Sequence, residues 1–303
     1  MGRTSSLTMW LALEINMLRF LPIISHMEDF NIENILKYFL VQRVASIMFI
    51  SFSIYGIINQ VKNFELVVTI SLFLKLGVAP FHTWFLNIVK NTSLYIIFML
   101  STIQKIIPLT ILGRINIWRI FIFIIIILNF LTVFIGGVYI LRFNKILGIS
   151  RINNLIWLII GGLTRVYRAY LFLIIYMVLL GGVVIAFNRF FKAVFYRISY
   201  KGFVNNMIEL FVLISIGGLP PFLGFLNKIF ILKQSLLDTS IIIIIILVFR
   251  ALFILYYYIR FRFLASRIYS NTTFHPNSYK LSIFKLRYIF TILFFWGGVC
   301  WAI

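Results

Sequence analysis

The sequence has few acidic residues: seven Asp and Glu stand against 28 Lys and Arg, for a formal net charge of +21. Such an excess is common in nucleic-acid-binding proteins. Here the basic residues are scattered among apolar stretches and form no RNA- or DNA-binding module, so we predict no nucleic-acid partner. Loop charges that orient membrane helices by the positive-inside rule explain many of them.

Cysteine is also almost absent, and this excludes several kinds of site. Cys300 is the only cysteine, so the chain has no intrachain disulfide and no cysteine-ligated zinc or iron–sulfur site. The three histidines, His26, His82 and His275, are far apart and have no metal-ligand spacing. Neither a phosphate-binding loop nor a dinucleotide-binding glycine motif is present. We therefore expect this chain to bind no cofactor.

Apolar residues make up 62% of the 303 residues of the sequence. Ordinary soluble domains contain about half or less, and a membrane-spanning helix needs about 20 apolar residues in a row. The sequence therefore predicts an all-α, polytopic transmembrane helix bundle, with residues 1–303 forming a single transmembrane domain of about ten spans. The predicted spans are residues 7–25, 34–58, 65–89, 94–112, 117–140, 144–163, 170–187, 205–237, 241–259 and 281–303.

Two of these spans contain a helix break. The third carries Lys75 and Pro80, and the eighth carries Pro220, Pro221 and Lys228. Broken helices survive at membrane depth only when they are buried in protein or line a wet cavity. Interrupted spans in corresponding halves are typical of transporters built from inverted repeats. We predict half-repeats at about residues 7–112 and 117–260, followed by a C-terminal helix at 281–303.

Four ionisable residues lie deep in predicted spans: Glu14, Lys75, Lys105 and Lys228. A bare charge at mid-membrane costs about 2.5–3.5 kcal/mol on the mildest scale, so pairing or neutralisation must offset it. Only Glu14 is acidic, so one Glu14–lysine pair can form. Desolvation disfavours the charged form of the remaining lysines. Lysines in this state exchange protons, and three of them joined by water would form a relay.

Structural interpretations of the same residues remain open. Lys228 near a helix end can extend its amine to the interface, and Glu14–Lys75 can be a purely structural ion pair. His82 follows the break as a candidate relay member or as a packing histidine. Arg43 and Arg250, which also lie in spans, are interpreted as structural partners or headgroup contacts. Lys145 and Arg151 at the start of the sixth span are interpreted as interfacial residues, with membership of the relay as the alternative.

The run from Lys75 to Trp84 resembles the broken-helix motif of the antiporter-like subunits of respiratory complex I. More narrowly, four further segments resemble the chain 2 family of mitochondrial NADH–ubiquinone oxidoreductases, in its order and at about its spacing. A weaker match follows at residues 258–260. The four segments are Trp10–Asn16 with Pro22, Lys37–Phe39 with Gln42, Ala45 and Ser46, Gln104–Ile106 with Pro108, and Gly217–Phe225 with Lys228.

The resemblance implies an antiporter-like fold in the proton-pumping membrane arm of complex I, in the mitochondrial inner membrane. It implies coupling of NADH oxidation and ubiquinone reduction to proton translocation, with no redox centre in this chain. NADH, FMN, iron–sulfur clusters and ubiquinone are then expected in other subunits. The implied partners are other membrane-arm subunits, accessory subunits and membrane lipids such as cardiolipin.

The resemblance also implies roles for single residues. Glu14 and Lys75 match a Glu–Lys pair that responds to the neighbouring subunit. Lys105 matches the central relay lysine, and Lys228 matches the terminal lysine on the second broken helix. His82 joins these four as a candidate relay residue.

Some positions depart from the family pattern. Animal members usually have eleven spans, so the count of ten implies that a helix before Glu14 is lacking. Asn154 stands where the family often has a histidine in the sixth span, and Asn227 replaces the usual proline before the terminal lysine. Arg43 is an unusual charge within its span. If the family histidine serves the relay, water or another residue must act in place of Asn154.

Two other classes of protein fit part of this pattern. A stand-alone cation/proton antiporter of similar fold would share the broken helices. The scarcity of intramembrane carboxylates weighs against it, because such a protein needs acidic ligands for its cation. A membrane scaffold without transport would tolerate neutral replacement of all three lysines.

Overall fold

The computed structural model describes residues 3–27, 32–59, 64–115, 117, 119–138, 142–164, 166–187, 211–220, 222–238 and 241–270. The secondary structure of these residues is helical. The helices are α1 (Arg3–Met27), α2 (Ile32–Asn59), α3 (Phe64–Leu76), α4 (Thr83–Asn91), α5 (Leu94–Ser101), α6 (Ile103–Leu112), α7 (Arg119–Val138), α8 (Phe143–Thr164), α9 (Val166–Phe187), α10 (211–217), α11 (Leu223–Asp238) and α12 (Ile241–Ser270).

Seven stretches of the described chain are long and apolar enough to cross a membrane. They confirm the predicted polytopic helix bundle. The third and eighth predicted spans are each divided between two shorter helices, and the tenth, 281–303, lies outside the described residues. The count of about ten spans therefore stays a prediction. The seven are Ser5–His26, Ile32–Asn59, Leu94–Leu112, Ile120–Gly137, Phe143–Leu163, Tyr167–Phe187 and Ile241–Phe261.

Helix α8 lies at the centre of the bundle and is almost entirely buried. It contacts α4, α5, α6, α7, α9, α11 and α12. The helices α1, α2, α7 and α12 are mostly exposed, and much of what they expose is apolar. Exposed apolar side chains suit the lipid-facing side of a membrane helix, whereas Ser150, Arg151 and the two asparagines that follow in α8 are buried in protein.

The first break begins where α3 ends in a Schellman motif. Gly77 has φ +71°, a conformation that a glycine adopts without steric penalty. The Gly77 amide donates to the Leu74 carbonyl at 3.3 Å, and the Val78 amide donates to the Phe73 carbonyl at 3.1 Å. Two of the carbonyls at the end of α3 are thereby paired locally.

Side chains from other helices donate to or accept from three backbone groups at this break, including a second bond to the Leu74 carbonyl. Gln42 Nε2 donates to the Lys75 carbonyl at 3.1 Å, and Trp84 Nε1 donates to the Leu74 carbonyl at 3.2 Å. The Ala79 amide donates to Asn129 Oδ1 at 3.3 Å. The broken backbone is therefore fastened to α2, α4 and α7, which fixes the direction of the Lys75 side chain.

The second break has a similar beginning. Gly218 has φ +78°, and its amide donates to the carbonyls of Ile214 at 2.9 Å and Ser215 at 3.2 Å. Helix α11 then passes very close to α10: a Cβ added to Gly224 would lie 1.8 Å from the Ser215 carbonyl oxygen. Both predicted breaks are confirmed. In each, the helix that precedes the break ends at a glycine with positive φ.

A third discontinuity lies in the predicted span 94–112, where α5 and α6 meet at Thr102. The Thr102 amide bonds to the carbonyls of Phe98 and Met99, and the Lys105 amide bonds to the Thr102 carbonyl at 3.1 Å. Arg151 also donates to the Ile97 carbonyl, in the last turns of α5 before this discontinuity. This discontinuity had only a weak signal in the sequence, because Pro108, the proline of this span, lies within α6 and not at the turn.

We expect Asn129→Leu to destabilise the protein by about 1–3 kcal/mol, because it leaves the Ala79 amide buried without an acceptor. The measurement is the thermal midpoint of the assembled, detergent-solubilised protein. Thr132→Val is the matched control on α7, since the Thr132 hydroxyl only donates back to the Asn129 carbonyl at 2.9 Å. Equal midpoints for the two variants would contradict the fastening role of Asn129.

We expect Gly224→Ala to abolish stable assembly, because its Cβ would lie well inside the van der Waals radius of the Ser215 carbonyl oxygen. Gly181→Ala is the control: a Cβ at Gly181 in α9 meets no atom within 4 Å. That control should be neutral or slightly stabilising, since alanine is favoured over glycine in helices by about 1 kcal/mol. The amount of assembled protein on native gels distinguishes the two outcomes.

Candidate functional site

Two of the predicted relay lysines line one cavity. Lys75 and Lys105 both border a narrow cavity between α1, α2, α3, α4, α5 and α6, in which about 20 Å³ is open to the centres of water molecules. Their side chains approach it from the two distorted helix segments, at the end of α3 and the start of α6. The polar lining is completed by Asn16, Tyr38, Gln42 and Gln104.

The uncharged polar residues of the lining are joined in a chain of hydrogen bonds. The Tyr38 hydroxyl donates to Gln104 Oε1 at 3.1 Å, and Gln104 Nε2 donates to the Asn16 carbonyl at 3.4 Å. Gln42 is fixed by its bond to the Lys75 carbonyl. These groups are held by helices α1, α2 and α6, so the cavity wall is polar and preorganised where the two lysines reach it.

Among the described residues, neither lysine amine lies within ion-pair distance of an acid. Lys75 is 7% exposed and Lys105 is 3% exposed. Within the described chain, neither Nζ donates a hydrogen bond or forms an ion pair. The Lys105 Nζ lies 5.4 Å from the centre of the Phe85 ring, close enough for a cation–π interaction.

Glu14 pairs with a residue other than the one predicted. Its Oε2 accepts from Arg43 Nη1 at 2.6 Å, and its Oε1 accepts from the Ser46 hydroxyl. No Glu14–Lys75 ion pair is found in the described residues, so this pairing differs from the prediction. The physical reason is that Arg43 and Ser46, three residues apart on one face of α2, reach both carboxylate oxygens from the adjacent helix.

Lys228 lies at the second break, away from the first cavity. It is 5% exposed, and its Nζ donates to the Gly217 carbonyl at the end of α10. The preceding residue, Asn227, is anchored by a 3.0 Å bond from its Nδ2 to the Phe172 carbonyl on α9. Lys228 therefore bonds to the broken backbone rather than extending to the interface.

Arg151 on α8 is buried near Lys105 and was interpreted wrongly from the sequence. It is 2% exposed, donates to the Ile97 carbonyl and interacts electrostatically with Lys105, Tyr176 and Tyr258. The sequence placed it near an interface because it stands early in its span. The polar residues next to Arg151 in the sequence were the sign that it is buried, because lipid would not accept so many polar groups on neighbouring helix turns.

His82 and Arg250 lie outside the lysine cavity. His82 is half-buried between α3 and α4, with its Nδ1 3.2 Å from the Pro80 carbonyl oxygen, and its relay role stays a prediction. Arg250 is fully buried, so a headgroup contact is wrong for it. In the described chain, none of its guanidinium nitrogens has a hydrogen-bond partner.

Asn154 is buried at 4% exposure on α8. It occupies the position at which the resembling family often has a histidine, and an amide cannot carry a proton at that position. Among the described residues, no group of three or more His, Cys, Asp or Glu side chains could hold a metal ion.

Comparison with known proteins agrees with this architecture. The family described as NADH:quinone oxidoreductase/Mrp antiporter, TM, matches residues 4–254. A chain in the structure of respiratory complex I from Thermus thermophilus with bound aureothin has a similar fold, with a TM-score of 0.77 at 17% identity. That match covers 97% of this chain and 73% of that chain.

Curated relatives are more similar in sequence. NADH-ubiquinone oxidoreductase chain 2 of Anopheles gambiae is 33% identical over 268 residues, which are 83% of this chain and 77% of the relative. The corresponding protein of Lemur catta is 34% identical over 274 residues, covering 84% and 78%. That of Locusta migratoria is 31% identical over 289 residues, covering 90% and 83%. The chain therefore belongs to the NADH:quinone oxidoreductase/Mrp antiporter family, in the group of NADH-ubiquinone oxidoreductase chain 2 proteins.

Proposed function

We propose that this chain is a proton-translocating membrane-arm subunit of mitochondrial respiratory complex I, located in the inner membrane. NADH oxidation and ubiquinone reduction take place in other subunits, which hold the FMN and the iron–sulfur clusters. This chain carries no redox centre and contributes a path for protons. Its partners are the neighbouring membrane-arm subunits, accessory subunits and lipids such as cardiolipin.

The observation that carries this proposal is the shared cavity of Lys75 and Lys105. Two buried lysines that border one polar space, with no carboxylate bonded to either, cannot both remain charged without a large penalty. The chain maintains this arrangement with three interhelical bonds at the first break. A purely structural helix bundle would place apolar residues at these positions, because an unpaired buried cation destabilises the fold.

The proposed relay moves a proton by changing which lysine is charged. When the Lys75 amine is protonated, repulsion across the cavity favours release of the proton from the Lys105 ammonium. That proton passes from Lys105 Nζ to water, and the neutral amine of Lys228 accepts it. Lys228 then releases it on the far side, and Lys105 is protonated again when Lys75 returns to its neutral state.

Between Lys105 and Lys228, the buried turns of α8 at residues 147–161 contain no lysine or histidine. Asn154 cannot be protonated, and Arg151 keeps its charge because a guanidinium is not deprotonated in proteins. Hydroxyl groups with water are therefore the proposed carriers here, and the nearby hydroxyls are those of Tyr176 and Tyr258. Arg151 acts as a fixed positive charge that favours proton release from Lys105.

We expect Lys105→Met to lower coupled proton translocation by at least about tenfold, because a positioned proton-transfer group contributes about 10²–10⁴ in rate. Methionine has a similar length and apolar character, so the complex should still assemble. The measurement is NADH-driven proton translocation in sealed vesicles that contain the intact complex, normalised to assembled complex on native gels.

Lys90→Met is the matched control, since Lys90 is an exposed lysine at the end of α4. It should leave both assembly and translocation unchanged. Full translocation in Lys105→Met would exclude the relay role of this lysine. Loss of assembly in both variants would show that removal of either lysine harms the fold, and it would count against the scaffold interpretation, which predicts that neutral replacement is tolerated.

A further inference from the structure

The cation bonded to the Glu14 carboxylate is an arginine that the pattern of relay lysines does not include. Arg43 Nη1 lies 2.6 Å from Glu14 Oε2. The Ser46 hydroxyl donates to the other carboxylate oxygen, and the Arg43 carbonyl at 2.9 Å is the alternative acceptor for the same proton. Both carboxylate oxygens therefore bond to α2, and neither bonds to the lysine of α3.

Helix α2 positions Glu14 and Lys75 through two consecutive residues. Gln42 bonds to the Lys75 backbone carbonyl at 3.1 Å, while Arg43 bonds to Glu14. Lys75 interacts electrostatically with both Glu14 and Arg43, with opposite signs. Lys75 is therefore attracted by the carboxylate and repelled by the guanidinium that holds it.

The two members of the ion pair differ in their freedom to change partners. The Arg43 side chain is 47% exposed, whereas the Glu14 side chain is 7% exposed. Arg43 lies on the outer stripe of α2 with Leu40 and Ile47, which are both exposed. The guanidinium can thus move outward to another acceptor, but the carboxylate remains buried and must find its next partner inside the bundle.

We propose that Arg43 is a positioning residue that holds the Glu14 carboxylate away from Lys75. While Arg43 is paired, the Lys75 amine is free to lose its proton. When Arg43 is drawn outward, Glu14 turns to Lys75 and keeps it as an ammonium. This inference rests on the proposed proton relay, because it assigns Arg43 control over the charge of Lys75.

The test uses the intact complex with Arg43→Gln in this chain. Glutamine cannot neutralise Glu14, so the carboxylate should pair permanently with Lys75 and lower proton translocation by about tenfold, equivalent to about 1.4 kcal/mol in the barrier. Arg43→Lys, which keeps the charge, should retain most of the translocation. Lys37→Gln removes the exposed Lys37–Glu33 pair of the same helix and should change neither assembly nor translocation, because such pairs contribute little.

An electron cryomicroscopy structure of the assembled Arg43→Gln complex gives a readout that a general loss of stability would not change. A Glu14 carboxylate oxygen within hydrogen-bond distance of Lys75 Nζ supports the proposal. A Glu14 side chain still bonded to Ser46 and turned away from Lys75 overturns it. Wild-type translocation in Arg43→Gln also overturns it.

The Glu14→Gln background decides the question if Arg43→Gln alone does not assemble. In the double variant Glu14→Gln/Arg43→Gln, loss of the guanidinium leaves no buried Glu14 carboxylate unpaired. If Arg43 acts only through Glu14, the double variant translocates protons at the rate of Glu14→Gln alone, and a further loss overturns the proposal. Lys105→Met distinguishes failure of the relay from failure of the Arg43 proposal. Full proton translocation in Lys105→Met would refute the relay itself. If Lys105→Met loses translocation while Arg43→Gln keeps it, only the role of Arg43 is refuted.

Discussion

The structure depends on satisfying the backbone where helix α3 stops inside an apolar bundle. Hydrocarbon offers no hydrogen bonds, so each amide and carbonyl freed by the break must find a partner within the protein. Gln42 from α2, Asn129 from α7 and Trp84 from α4 provide those partners. The same three bonds fix the end of α3, and with it the direction in which Lys75 enters the cavity.

Charge balance is the second constraint, and it explains why one carboxylate matters so much. The chain buries Lys75, Lys105, Lys228, Arg151 and Arg250, but Glu14 is the only buried acid in the described residues. Because buried cations outnumber buried anions, proton occupancy or hydrogen bonds to carbonyls must compensate the rest. Competition for the single carboxylate therefore becomes a means of controlling the protonation of a neighbouring amine.

The two breaks use similar backbone geometry for different purposes. Gly77 and Gly218 both take positive φ, yet the lysine precedes the first break and follows the second. Lys75 leaves its amine facing a cavity, whereas Lys228 donates to the Gly217 carbonyl that its own break exposes. Helix α8 lies between them, and its buried Arg151 provides a fixed charge at the point where a protonatable residue is lacking.

The sequence by itself determined the helical membrane fold and both proline breaks, because long apolar runs and prolines act locally along one chain. It also identified Lys75, Lys105 and Lys228, since a lysine inside an apolar run is conspicuous wherever it points. Only the tertiary structure decided that Arg43 pairs with Glu14 and that Arg151 is buried beside Lys105. Those contacts depend on the rotation and packing of neighbouring helices, and the distances that decide between rival partners do not exist until the helices are assembled.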